Sequence, residues 1–428
     1  MTLNGMRTYV GFGLGAIQSG LFLYEAFQSG AFGRLVTAEV VPEVVAAVRQ
    51  AGGRFTVNIA HADRVEHAQI GPVQIEDPAQ EADRERLIEA LAQADEIGTA
   101  VPSVAFYDSP GPGSLHRILA AGLRRKAAVG GPRAVIYAAE NHNHAAEILE
   151  AAVMAEIPEA EREAVGNRVR FLNTVIGKMS GVVTEADEIQ AAGLMPVTPE
   201  SPRAFLVEAF NRILISRIHF EPPFTRGIAV FEEKDDLLPF EEAKLYGHNA
   251  THALAAYLAM ACGAARIADL PGVNGVMPYV RAAFLEESGA ALIRKHAGVD
   301  ALFTPEGYQA YADDLLERMI NPFLRDTAER VGRDVARKLG WDDRLIGTMR
   351  VALRQGVIPR RYALGAAAAL AALHPNAADV PAGTLLDPLW SAAQPEPAER
   401  QVVLELIESG RARLRQWAAS GFLPVAIG

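Results

Sequence analysis

Val10-Gly11-Phe12-Gly13-Leu14-Gly15-Ala16-Ile17-Gln18-Ser19-Gly20 decides the fold of this chain. The stretch follows a short strand-like run, 8–11, and opens a helical segment, 17–27. A strand, a glycine turn and a helix in that order are the setting of a dinucleotide-binding loop. Gly13 permits the tight turn, and Gly15 lets the backbone approach a pyrophosphate held at the helix N-terminus. Ala16 and Ile17 complete the expected cofactor contacts on the loop. The usual third glycine is Gln18 here, and Gly20, two places on, is the residue available to relieve helix–strand crowding.

Outward from the loop, a strand at 35–40 and a helix at 42–50 continue the β-turn-α-β pattern. Glu39 falls at the end of that second strand, where a carboxylate accepts hydrogen bonds from ribose hydroxyls and repels a 2′-phosphate. NAD is therefore expected rather than NADP. Strands are expected at 55–60, 96–101, 134–138 and 169–173, with helices at 83–94 and 114–126 between them. Thr99 and Val101, with Pro102 behind them, lie at a strand end where such folds bind ligands. The fold class is α/β, with a Rossmann-type dinucleotide-binding domain over 1–200 and a mainly α-helical substrate and catalytic domain over 201–428. The second domain is expected to begin with extended stretches at 213–220 and 228–231. Helices follow at 249–263, 279–296, 305–319, 326–339 and 362–373, then a Pro/Ala-rich loop, 374–397, and a terminal helix.

Composition narrows the function classes. A net charge of −11 argues against a general role on nucleic acid or an anionic membrane. The single cysteine, Cys262, excludes an intrachain disulfide framework and fits a reducing, cytoplasmic setting. The first seven residues are too short, and too quickly followed by a strand, to read as a signal peptide. The longest apolar runs are near ten residues, at 254–262 and 364–373, whereas a spanning helix needs about 20.

The chemistry is concentrated in Lys244-Leu-Tyr-Gly-His-Asn249-Ala-Thr-His252, which opens an apolar helix. Charged and amide groups at such a place are costly to desolvate without partners or a function to serve. Removing hydride from a carbinol needs a base for the hydroxyl proton and donors for the developing oxyanion. Lys244 is the candidate base if desolvation lowers its pKa from about 10.4 toward 7–8. Asn249 is the candidate oxyanion donor and His252 the residue that orients the substrate. On one regular helix Lys244 and Asn249 would point roughly 140° apart. Lys244 is therefore expected at or before the first turn, with Gly247 allowing a bend.

Lys-Leu-Tyr-x-x-Asn-x-x-His resembles the lysine-dependent polyol dehydrogenases, the mannitol dehydrogenase family. Glu286-Glu287-Ser288-Gly289, Asn321-Pro-Phe-Leu324, Glu329-Arg-Val-Gly-Arg333, Arg337-Lys-Leu339 and Asp343-Arg-Leu-Ile346 are similar, in order, to the mannitol-1-phosphate 5-dehydrogenase branch. The resemblance implies oxidation of a polyol phosphate to a ketose phosphate with NAD, without a metal. It also implies that Asn141, in Ala139-Glu140-Asn141, shares the oxyanion with Asn249 and touches the cofactor. The family's loop arginine and its later Val-Asp-Arg are replaced here, the latter by Ile176-Gly177-Lys178. Substrate identity is thus less constrained than cofactor chemistry. Lys178, Arg330 and Arg333 are candidates for phosphate or carboxylate recognition, Arg330 and Arg333 serving equally well as interhelical salt-bridge formers. Three rival readings stay open: an unphosphorylated polyol or sugar acid as substrate, a metal held by His248 and His252, and a non-catalytic NAD-binding sensor.

Overall fold

The computed structural model describes residues 7–422. Residues 1–6, most of the segment read above as carrying no signal peptide, lie outside the described residues. In chain order the strands are β1 (Arg7–Phe12), β2 (Phe32–Ala38), β3 (Phe55–Ala60), β4 (Val65–Ile70), β5 (Gln74–Glu76), β6 (Glu96–Thr99), β7 (Ala134–Ala138), β8 (Val169–Val175), β9 (Ser180–Val183), β10 (Ala204–Glu208), β11 (Ile213–Ser216) and β12 (Phe231–Lys234).

The main sheet has the order β12-β11-β8-β7-β6-β1-β2-β5. Its neighbours are parallel except at β8 and β11, which pair antiparallel. Strands covered on both faces carry unbroken apolar runs rather than alternation. In β7, Ala-Val-Ile-Tyr-Ala, every residue is buried. The helices Glu81–Gln93, Leu115–Ala128, Ala145–Ala155 and Glu159–Gly166 supply one covering layer. The other face packs against the loop helix and a second sheet, β4-β3-β10-β9.

That second sheet bears on two expectations, the strand at 55–60 and the domain boundary. The strand expected at 55–60 forms, but as β3 it joins the small sheet, and short β5 takes the edge place beside β2. The domain boundary also moves. The compact units divide between Leu237 and Leu238, not near residue 200. The reason is strand pairing: β10 bonds to β3 and β11 to β8, so the residues after 200 complete the first unit's sheets.

The second unit is helical. A continuous helical run covers Leu238–Glu242, Ala243–Asn249 and Ala250–Cys262. A second run covers Val276–Ala282, Ala283–Gly289 and Ala290–Lys295. The helix Arg360–Leu373 is alanine-rich and buried over most of its length, which lets Pro397–Ala419 and Ala250–Cys262 pack closely on it. Two more expectations are corrected here. The helix expected at 326–339 is broken into Ala328–Gly332 and Val335–Lys338, because Asp334 takes a left-handed φ of 57°. The stretch expected as a loop contains the helix Ala382–Trp390, anchored where the buried Trp390 indole donates to the Leu339 carbonyl at 2.7 Å. Among the described residues no helix is long and apolar enough to cross a membrane.

Candidate active site

In the first unit the glycine turn leaves β1 with Gly13 at φ +86°, a conformation L side chains rarely adopt. A Cβ there would also stand 2.9 Å from the Ala100 carbonyl. At Gly15 an added Cβ would meet nothing within 4 Å, so the backbone is open to an approaching pyrophosphate. Ala16 and Ile17 form the first helical residues after the turn. Gln18, in place of the usual glycine, is fully buried and donates from Nε2 to the Tyr9 hydroxyl at 2.8 Å. Gly20 provides the close helix–strand packing instead, since its Cβ would lie 2.5 Å from the Val207 side chain of β10.

Glu39 stands just past β2, buried. Its carboxylate accepts from the Leu14 amide at 2.7 Å and from the Val40 and Val41 amides at 2.8 and 2.9 Å. An ionised carboxylate offers about four lone-pair sites, so three amides leave one acceptor direction for a ribose hydroxyl. The cradle of Gly13, Gly15 and Glu39 therefore fits a dinucleotide.

The end of β6 is tied to Glu140, a residue that the sequence motif contains but to which the sequence reading gave no role. Glu140 accepts from the Thr99 hydroxyl and the Val101 amide, each at 2.9 Å, and from the Tyr107 hydroxyl. Burial raises its pKa, while those donors hold the charged form. Thr99 is wholly buried and its hydroxyl is committed to Glu140, so it shapes the loop; Val101 is the more accessible of the pair. Asn141 follows directly and is exposed at the strand's carboxyl end. Lys178 is buried elsewhere in this unit, donating to the Phe210 carbonyl and the Asn211 side chain at 2.9 and 2.8 Å.

The second unit holds the lysine, and its geometry differs from the expected bend. Ala243–Asn249 is a π-helical turn inserted in an otherwise continuous helix, with Glu242, Asn249 and Ala250 all in right-handed helical dihedrals. A π turn closes hydrogen bonds between residues five apart. Lys244 and Asn249 are five apart, so they stack on one side of the helix instead of splaying. His252 follows three residues later on the regular helix, a spacing that keeps it beside Asn249. Gly247 does not bend the chain; a Cβ on it would collide with the Tyr308 hydroxyl at 2.5 Å.

Burial pushes the Lys244 pKa down to about 8, Glu241 opposes that shift, and Arg344 adds to it. Burial also lowers His252, to about 3, with Arg330, Lys338, Arg344 and Arg318 adding to the effect. The neutral ring lies with Nε2 3.5 Å from Asp326, which in turn pairs with Arg330. Arg333 is exposed. Lys338 is the cation the sequence reading did not single out. It is buried to 4 % exposure, its ammonium donates to the Arg333 carbonyl, and burial followed by Arg344 lowers its pKa to about 8. Arg344 is nearly buried at the first turn of Arg344–Arg354, its Nε on Asp343 at 2.7 Å. Both lie within the family-like motifs quoted above, Arg337-Lys-Leu339 and Asp343-Arg-Leu-Ile346, but the motifs give neither a role. Both are recognisable only once the helices converge.

Residues 7–221 match the mannitol dehydrogenase Rossmann domain and residues 236–409 the mannitol dehydrogenase C-terminal domain. A mannitol-1-phosphate 5-dehydrogenase of Bacillus licheniformis is 32 % identical over 323 residues, covering 74 % of this chain and 76 % of that protein. Among solved structures, a substrate-free D-sorbitol dehydrogenase superposes with a TM-score of 0.77 at 14 % identity, covering 99 % of this chain and 96 % of that one. The Pseudomonas fluorescens mannitol 2-dehydrogenase, in a ternary complex with NAD and D-mannitol, gives 0.69 at 17 % identity, over 99 % and 95 %. The chain belongs to the mannitol dehydrogenase family, whose members are NAD-dependent polyol oxidoreductases.

Proposed function

We propose that this protein is an NAD-dependent secondary-alcohol dehydrogenase that interconverts a sugar-alcohol phosphate, such as mannitol 1-phosphate, and the corresponding ketose phosphate in the cytoplasm. The observation that carries the reading is the π turn, which sets a lysine with a pKa of about 8 one turn below an amide donor. Lys244 Nζ, neutral at mildly alkaline pH, accepts the substrate hydroxyl proton. The Asn249 amide donates to the oxygen as negative charge grows on it, an electrostatic aid that is stronger in a water-poor site. Asn141 is the second donor that the family resemblance assigns. His252, held neutral, orients a neighbouring hydroxyl. Gly13, Gly15, Ala16, Ile17, Glu39 and Val101 are the proposed cofactor contacts, with Thr99 behind them. NAD, when bound, supplies the hydride acceptor.

The phosphorylated substrate rests on two supports. One is the Bacillus licheniformis relative, named for a polyol phosphate. The other is the charge around His252. Buried cations are ordinarily paired with carboxylates, yet Lys338 donates to the Arg333 carbonyl and has Arg344 as its largest electrostatic neighbour, with Asp334 opposing in part. An anionic substrate group meets that need. Lys338 and Arg344 are accordingly proposed for it ahead of Lys178, which already has two close acceptors, and beside Arg330, which pairs with Asp326.

The test is NADH formation on a panel of hexitols, pentitols, their phosphates and the matching sugar acids. A preference of at least tenfold in kcat/KM for a phosphate ester over the free polyol is expected. Preference for the free polyol removes the phosphate, turnover of the acid moves the substrate to a carboxylate, and tight NAD binding without turnover on any compound favours a sensor.

A further inference from the structure

We infer that Gly247 is a positioning residue of the reaction: by lying flush against Tyr308 and Phe284 it keeps Ala243–Asn249 wound as a π turn, and so keeps Lys244 and Asn249 on one side. The inference rests on Lys244 as the base.

π turns are rare and have poorer hydrogen-bond geometry than the α-helix, so one that persists needs support from its surroundings. Here the support comes from two sides. On one side, the rings of Phe284, Tyr308 and Tyr311 form a mutually edge-to-face triad, each centroid pair at 5.6 Å. Tyr308 is fully buried and cannot swing aside. The turn meets this triad at Gly247, where a Cβ would lie 2.5 Å from the Tyr308 hydroxyl and 3.0 Å from the Phe284 ring. The Tyr311 hydroxyl reaches the Ala243 carbonyl at 3.5 Å. On the other side stands the helix Arg344–Arg354. A Cβ on Gly347 would be 2.6 Å from the Tyr246 ring, and the Thr348 hydroxyl lies 3.1 Å from the Tyr246 carbonyl while also bonding to its own helix at Arg344. Phe284 itself belongs to a second π turn, Ala283–Gly289, so the two wide turns face one another across Tyr308.

Rewinding 243–249 as α-helix would turn Asn249 roughly 140° from Lys244. The proton acceptor and the oxyanion donor would then no longer reach one oxygen. A side chain at Gly247 pushes the turn off its support and releases that rewinding.

The experiment compares wild type, Gly247→Ala, Tyr308→Phe, the Gly247→Ala/Tyr308→Phe double variant and Lys244→Ala. It reads kcat, KM for NAD, the midpoint of the pH profile for alcohol oxidation, and the melting temperature. Gly247→Ala is expected to lower kcat on the order of 10- to 100-fold, the scale of about 1 Å of misplacement. It should also move the pH midpoint and leave KM for NAD within twofold. Removing the Tyr308 hydroxyl frees the space the new methyl needs, so the double variant should recover most of kcat and the original midpoint. A fall in melting temperature with unchanged kcat and midpoint, or a double variant no better than the single, overturns the inference. Should Gly247→Ala not fold, Thr348→Val removes the hydroxyl beside the Tyr246 carbonyl at constant shape, with Thr348→Ser as its rescue. Unchanged kcat and midpoint in Thr348→Val then decide against it. Lys244→Ala separates the two readings, because turnover surviving there ends the assignment of the base whatever Gly247 does.

Discussion

At the scale of single residues, the proposed reaction turns on a proton that Lys244 must be free to take. With its pKa pushed down to about 8, the amine is increasingly neutral above that pH. Alcohol oxidation should therefore rise with pH through about 8, and ketose reduction, which needs the protonated amine, should fall through the same range. Lys244→Ala should lower oxidation about 10²- to 10⁴-fold, the usual contribution of a general base. NAD titration by fluorescence should give an unchanged affinity; lost affinity with surviving turnover would remove the assignment. His252, with a pKa near 3, should contribute no inflection between pH 5 and 9. The Glu39 carboxylate holds the Leu14, Val40 and Val41 amides and is in addition the proposed ribose contact. Glu39→Ala should relax discrimination against NADP and also destabilise the chain by about 1–3 kcal/mol, the cost of orphaned buried donors. Unchanged cofactor selectivity with lowered stability would leave Glu39 only the structural role.

Elements show what was legible in the sequence and what was not. The order strand, glycine turn, helix, strand was readable because each residue's work there is local: Gly13 needs only its own φ. The relocation of the third glycine's role to Gly20 was readable as a suspicion, and its partner was not. That partner, Val207, is 187 positions away in β10. Gly20→Ala should cost about 1–3 kcal/mol by overpacking and weaken NAD binding through the displaced helix. Thermal unfolding with and without NAD checks both. The lysine, asparagine and histidine were legible as a motif. Their arrangement was not, because a regular helix puts Lys244 and Asn249 on different sides and residues 243–249 give no local sign of a π turn. The sign lies in Tyr308, Phe284 and Thr348, which only tertiary packing brings to it. Lys338 and Arg344 were legible as members of quoted motifs and not as neighbours, and the strand at 55–60 was legible without its sheet, because a strand's own residues do not name its partner.

For the molecule as a whole, the proposed cofactor cradle lies in the first unit and the proposed base in the second, so ligands should report on them separately. NAD at about 100 times its Kd should stabilise the first unit by about 2.7 kcal/mol, equally in wild type and in Lys244→Ala, with NADP giving much less. Scanning calorimetry measures this directly; stabilisation that disappears in Lys244→Ala would contradict a cofactor site built from the glycine loop and Glu39. The wide turn that carries the lysine has a corollary for inheritance. A winding with one residue more than a regular turn is sensitive to length before it is sensitive to spelling. Loss of a single codon between Ala243 and Asn249, even one outside Lys244, Gly247 and Asn249, should silence the enzyme, while exchanges of one letter at those other positions should be borne more easily. Descendants of this gene should vary in spelling only between those three positions and hold the number of letters fixed.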